Sequence, residues 1–166
     1  AGRHDEAVAS LRRLLFEDPK NTTAYKTLAR IYFAMGNFKM SQMASGNALA
    51  LDDQDADIHN NIGLAFLKQG KEAEAIVAFK KAVELDEKNI EANMNLGLIA
   101  VRSADYALAG SSFQTVLEQQ PGNAEARVGL AVAYRGALET EAAMAEYEKV
   151  LANDKCNEAA LINKAL

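Results

Sequence analysis

The feature that most limits what this chain can become is a repeat of 34 residues running through it without a gap. Pro19 and Pro121 stand 102 residues apart, three times that period. Written in rows of 34, the sequence stacks like on like. Gly2, Gly36 and Gly70 share one column, and Ala7, Ser41, Ala75, Ala109 and Ala143 share another, all small. Leu28, Ile62, Leu96 and Leu130 form a third, each followed at once by a small residue: Ala29, Gly63, Gly97 and Ala131. An aromatic column holds Tyr32, Phe66 and Tyr134 and is broken by Ala100; a second holds Phe79, Phe113 and Tyr147 and is broken by Leu11 and Ser45. A unit this short cannot bury its apolar face alone, so a core has to come from stacking successive units.

Each row carries two apolar-patterned segments of roughly a dozen residues with helical spacing. First-type helices are predicted near 22–35, 56–69, 90–103, 124–137 and 157–165, and second-type helices near 5–17, 38–51, 72–85, 106–119 and 140–152. Asn21, Asp55, Asn89, Asn123 and Asn157 precede the first-type helices at the repeat spacing. Their side-chain oxygens suit the N-cap, where an otherwise unpaired amide of the first turn needs an acceptor. Gly36 and Gly70 fall where a first-type helix must turn back, a place for left-handed backbone. The small residues at 29, 63, 97 and 131 let the two helices of a hairpin approach closely, and the aromatics fill the wider gaps beside them. Gly46, Gly110 and Gly129 lie inside predicted helices, each costing up to about 1 kcal/mol relative to alanine. They mark either close packing or weak points.

These columns resemble the tetratricopeptide repeat, whose pattern runs large residue, Leu-Gly, tyrosine, then alanine, aromatic, alanine and proline at fixed offsets. The row 56–89 is the best match, with Ile62-Gly63, Phe66, Gly70, Ala75, Phe79 and Ala82. The row from Ile90 follows with Leu96-Gly97, Ala109, Phe113 and Pro121, and the row from Ala124 with Leu130, Tyr134, Ala143 and Tyr147. The row from Thr22 keeps Tyr25, Leu28, Tyr32 and Gly36 but places Ser41 and Ser45 where alanine and an aromatic are expected. Elsewhere His59, Asn93, Arg127 and Leu161 replace the bulky residue kept as Tyr25. The resemblance implies an all-α fold, a right-handed superhelical solenoid of antiparallel helix hairpins, read as a single array. Its parts are a half repeat 1–21, repeats 22–55, 56–89, 90–123 and 124–157, and a half repeat 158–166. Neither half repeat shows a polar cap of the kind such arrays need. The expectation is therefore a fragment of a longer array, or ends that pair with another chain.

In this family the first-type helices line a concave face, so the resemblance implies a groove there for a peptide or helix of a partner protein. The residues projecting into it are Lys26, Thr27, Arg30 and Phe33; Asn60, Asn61, Leu64 and Lys68; Met94, Asn95, Leu98 and Arg102; and Val128, Val132 and Arg135. Leu64, Leu98 and Val132 would make an apolar floor, with Asn61 and Asn95 beside it to donate to and accept from a peptide backbone. Asp57, Glu91 and Glu125 form a further row whose simplest role is to favour the positive end of each helix dipole. Some family members clamp a C-terminal carboxylate. Lys26 and Asn61 fit that clamp, but Arg30, Glu91 and Asn95 do not, and an acid at 91 would repel the ligand. Self-association through the half-repeat ends and service as a non-catalytic targeting arm of a larger enzyme are the alternative readings.

Composition narrows the field further. A net charge of −5 speaks against nucleic acid and against an anionic membrane surface as partner. The single cysteine, Cys156, with only two histidines, cannot build a disulfide or a zinc site, and no cofactor is expected. No stretch is long and apolar enough to span a membrane, and the first residues do not form a signal peptide, so any targeting segment would lie upstream. Gly63, Gly70 and Lys71 only superficially suggest a phosphate loop, since Glu72 stands where serine or threonine is needed. No pair of acids converges for acid–base work, and no enzyme is expected. Met35, Met40 and Met43 cluster in the first full repeat, where the expectation is that they fill the space left by Ser41 and Ser45.

Overall fold

Five side chains at the repeat spacing start the first helix of every hairpin. In the computed structural model, which describes residues 2–165, Asn21 Oδ1 accepts from the Ala24 amide at 2.9 Å. Asn89, Asn123 and Asn157 accept in the same way from the amides of Ala92, Ala126 and Ala160. Asp55 accepts from Asp57 and Ile58. Each bond satisfies a first-turn donor that the helix itself cannot. The helices that follow in chain order are α1 (Gly2–Glu17), α2 (Thr22–Ala34), α3 (Phe38–Leu49), α4 (Ala56–Lys68) and α5 (Glu72–Leu85). They continue with α6 (Ile90–Arg102), α7 (Tyr106–Gln119), α8 (Ala124–Gly136), α9 (Thr140–Asn153) and α10 (Glu158–Ala165). Among the described residues there is no strand, and the fold is an all-α helical-repeat solenoid. Most boundaries lie within two residues of the sequence reading; α1 starts earlier, at Gly2.

The ends of α2, α4, α6 and α8 share one geometry. Asn37, Lys71, Asp105 and Glu139 each donate a backbone N–H to the carbonyl five residues back, at 2.8–3.0 Å. The residue before each of them lies in the left-handed region: Gly36 at φ 75°, Gly70 at 74°, but Ala104 at 58° and Leu138 at 66°. This is the Schellman closure, in which a left-handed residue lets the chain satisfy the last carbonyls and reverse. The glycine column of the sequence therefore extends to two positions that hold no glycine.

The helices fall into two compact units, the first ending at Glu87 and the second beginning at Lys88. In the first unit, Val8, Leu28, Ala29, Tyr32 and Ala44 form a buried cluster. The α4–α5 hairpin closes on Gly63, where an added Cβ would meet the Phe79 ring at 2.5 Å. In the α2–α3 hairpin Ser41 is buried and donates to the Ala29 carbonyl at 2.9 Å. Ser45, in the aromatic column, is also buried, and its hydroxyl has no partner among the described residues. The methionines do not compensate as a group. Met35 packs against the cluster, but Met43 is 63% exposed and Met40 also reaches solvent. The expectation that all three fill the space beside the serines is thus corrected: α3 turns positions 40 and 43 outward.

In the second unit Phe113 is fully buried between two glycines. A Cβ on Gly97 of the same hairpin, or on Gly129 of the next, would stand 2.8 or 2.5 Å from its ring. Ala100, Ala109, Val116, Ala126, Leu130 and Ala133 complete this cluster. A second cluster gathers Ala131, Ala143, Tyr147, Val150 and Ala160. The question left by the helix-interior glycines is settled position by position. Gly129 marks close packing, Gly110 has only an ordinary contact with Leu130, and Gly46 faces open space. In α10, Lys164 takes the leucine register and pairs with Glu148 at 3.1 Å.

Two polar contacts repeat the period without having been read from it. Arg12 donates to the Tyr32 hydroxyl at 2.8 Å, and Gln114 donates to the Tyr134 hydroxyl at 3.0 Å, each donor lying 20 residues before its tyrosine. The two intervening registers pair Gly46 with Phe66 and Lys80 with Ala100, and neither Phe66 nor Ala100 has a hydroxyl to accept. The presence of a long polar donor wherever the aromatic is tyrosine is the signal that could have revealed this link.

Candidate functional site

The site residues inferred from the sequence lie on α2, α4, α6 and α8, and accessibility divides them. Arg30, Lys68, Leu98 and Arg102 are exposed. Lys26, Asn61, Leu64, Met94, Asn95, Val128, Val132 and Arg135 are half-buried. Asn60 is buried, at 7% exposure, and offers a ligand little surface.

Charge on this face is partly consumed by the fold. Lys26 Nζ lies 2.6 Å from Asp55 Oδ2 and 3.5 Å from Asp57 Oδ2. Asp55 therefore both caps α4 and anchors the neighbouring first helix. Burial alone would lower the Lys26 pKa. The hydrogen bond and charge of Asp55, helped by Asp57, outweigh it and hold the ammonium above 10.5. Arg135 donates to the Asn163 backbone carbonyl at 2.9 Å and to its side-chain oxygen at 3.3 Å. It ties α8 to α10 rather than standing free. Phe33 meets Phe38 edge to face, with ring centroids 5.5 Å apart. Arg30 and Lys68 carry the unengaged positive charge of α2 and α4, with no hydrogen bond or ion pair among the described residues.

Another ion pair joins α8 to α9. Arg127, in the column where Tyr25 is aromatic, donates to Glu146 at 2.8 Å, and Lys149 meets the other Glu146 oxygen at 2.6 Å. Burial would raise the Glu146 pKa, but the bonds from Lys149 and Arg127 lower it below 4.5. Arg127 also donates to the Pro121 carbonyl. The departure from an aromatic at this position is thus made good by a charge-assisted link between α8 and α9. Burial raises the Tyr147 pKa above 10.0 against the opposing charge of Arg135.

No group of three or more His, Cys, Asp or Glu side chains that could hold a metal occurs among the described residues. No helix among them is long and apolar enough to cross a membrane. What remains is a set of first-helix faces presenting apolar side chains with a few charges, on helices fixed by caps and hairpin packing. That is the surface of a helical-repeat protein. Tetratricopeptide-repeat sequence profiles match residues 56–89 and, in two stretches, residues 1–60 and 100–162. The chain belongs to the tetratricopeptide repeat family, whose members bind other proteins or peptides and are generally non-catalytic scaffolds.

No curated protein sequence matches the chain. Solved structures do. YrrB, described as a TPR protein with an unusual peptide-binding site, is 25% identical with a TM-score of 0.83, over 99% of this chain and 85% of that one. PilW, a type IV pilus biogenesis factor, is 27% identical with a TM-score of 0.75, over 90% and 69%. MamA is 22% identical with a TM-score of 0.83, over 93% and 90%, a likeness of fold alone.

Proposed function

We propose that this chain is a protein-interaction scaffold that binds a peptide or helix of a partner on the exposed faces of its first-type helices. The observation that carries this reading is Leu98. It is 43% exposed on α6, and the residues one period away on their own helices, Leu64 on α4 and Val132 on α8, are half-buried. An apolar side chain held open on a helix packed along its other faces gains from being covered by a guest. Asn61 and Asn95 lie one turn before the two leucines on the same helix faces, where an amide can serve a peptide backbone in both directions. YrrB's description as a peptide-binding repeat protein of similar structure supports the same direction.

The experiment is affinity purification of partners with the native chain and with Leu64→Glu and Leu98→Glu, identifying captured proteins by mass spectrometry. Both substitutions should abolish capture while circular dichroism reports unchanged helicity. Undiminished capture by both folded variants would rule the first-helix faces out.

A further inference from the structure

We propose that the first-helix face of the second unit takes an apolar segment flanked by basic residues, supplied by a partner protein. The inference rests on the reading that first-helix faces bind partners, and it assigns this one a charge preference and a direction. Met94 and Leu98 of α6 are one period from Val128 and Val132 of α8, and the two helices pack side by side. Together they make a two-by-two apolar ladder, half-buried at three corners and exposed at Leu98.

Three residues before Met94 and Val128, and so on the same helix faces, stand Glu91 and Glu125. Both are exposed, and neither is engaged by a hydrogen bond or ion pair among the described residues. Each sits in a first turn, where the helix dipole offers about half a positive charge. That offsets part of each carboxylate but leaves the margin negative. The acid at the equivalent place in the first unit, Asp57, is met by Lys26. There the positions equivalent to Met94 and Leu98 on α2 are Lys26 and Arg30, so α2 has neither the ladder nor the free acid.

Opposing charge on this face lies at its far end. Arg102 closes α6, about 16 Å along the axis from Glu91, and Arg135 is held by Asn163. The complementary guest therefore places Lys or Arg against the starts of α6 and α8 and an apolar stretch over Leu98.

The test uses the whole chain and two labelled synthetic peptides that share one leucine-rich core, one with a Lys-Arg flank and one with a Glu flank. Fluorescence anisotropy at low salt should show the basic-flanked peptide binding about tenfold tighter, since each exposed ion pair contributes a few-fold. The double substitution Glu91→Lys with Glu125→Lys should reverse the preference, and Leu98→Glu should weaken both peptides. Equal binding of the two, with both lost in Leu98→Glu, overturns this inference and leaves the first-helix-face reading standing. Binding of neither, or binding indifferent to Leu98→Glu, overturns both.

Discussion

Four equivalent turns close the first helices of this solenoid, and only two of them use the residue their backbone favours. Leu138 holds φ at 66° and Ala104 at 58°, where Gly36 and Gly70 stand at 75° and 74°. A side chain in left-handed backbone costs roughly 1–2 kcal/mol through crowding of Cβ against the following carbonyl. Glycine removes that cost but gives the unfolded chain about 0.4–1 kcal/mol more freedom. Leu138 is 87% exposed, so deleting its side chain forfeits almost no burial. Leu138→Gly should therefore stabilise the protein by about 0.5–1 kcal/mol, and Ala104→Gly by a similar amount. Gly36→Ala and Gly70→Ala should destabilise it to about the same extent. Urea unfolding followed by far-ultraviolet circular dichroism reads the shift in midpoint. Leu138→Ala is the decisive control. It removes the apolar surface but keeps Cβ, so the midpoint should stay near that of the native chain. If Leu138→Ala stabilises as much as Leu138→Gly, exposed leucine rather than backbone strain is the cause, and the reasoning fails.

Two further expectations use the same unfolding assay. Gly63→Ala pushes a Cβ to 2.5 Å from the Phe79 ring and should cost about 1–3 kcal/mol, whereas Gly46→Ala enters open space and should gain up to about 1 kcal/mol of helix propensity; equal effects would remove the close-packing argument. Glu146 has its folded pKa lowered below 4.5, so the stability it contributes is present above that value and lost as pH falls through the lower folded one. Glu146→Gln should cost about 1–2 kcal/mol near neutrality and flatten the acid limb of a stability–pH profile; an unchanged limb would show that the Arg127–Glu146–Lys149 cluster carries no linkage. Lys26 runs the other way: its folded pKa lies above 10.5, so its contribution holds below that value and fades as pH rises through the folded one.

Much of the architecture was legible because each feature concerned is local. An asparagine or aspartate before a helix acts on amides two or three residues away. The spacing that placed Asn21, Asp55, Asn89, Asn123 and Asn157 therefore also located their hydrogen bonds. The small column at 63 and 97 located the close approach within each hairpin, because antiparallel helices joined by a short turn keep a fixed register, but the Phe79 and Phe113 rings lie directly on those glycines rather than in wider gaps beside them. The turn column was only half legible. Gly36 and Gly70 announced left-handed backbone, but Ala104 and Leu138 adopt it with no residue preference to betray them, because the hydrogen bonds of the closure impose it.

The candidate site divides along the same line. That Leu64, Leu98 and Val132 occupy equivalent positions on their own first helices follows from period alone. Which charges beside that row remain available does not. Lys26, Arg30, Glu91 and Arg135 look alike in the sequence, each a charged residue of a first helix. Yet Lys26 is taken by Asp55, 29 residues away, and Arg135 by Asn163, 28 residues away, while Arg30 and Glu91 meet no partner among the described residues. Repeat spacing determines which helix face a residue occupies, because that depends on backbone geometry every unit shares. Whether its charge is spent depends on the one side chain that the neighbouring unit happens to bring within reach, and only packing in three dimensions makes that choice.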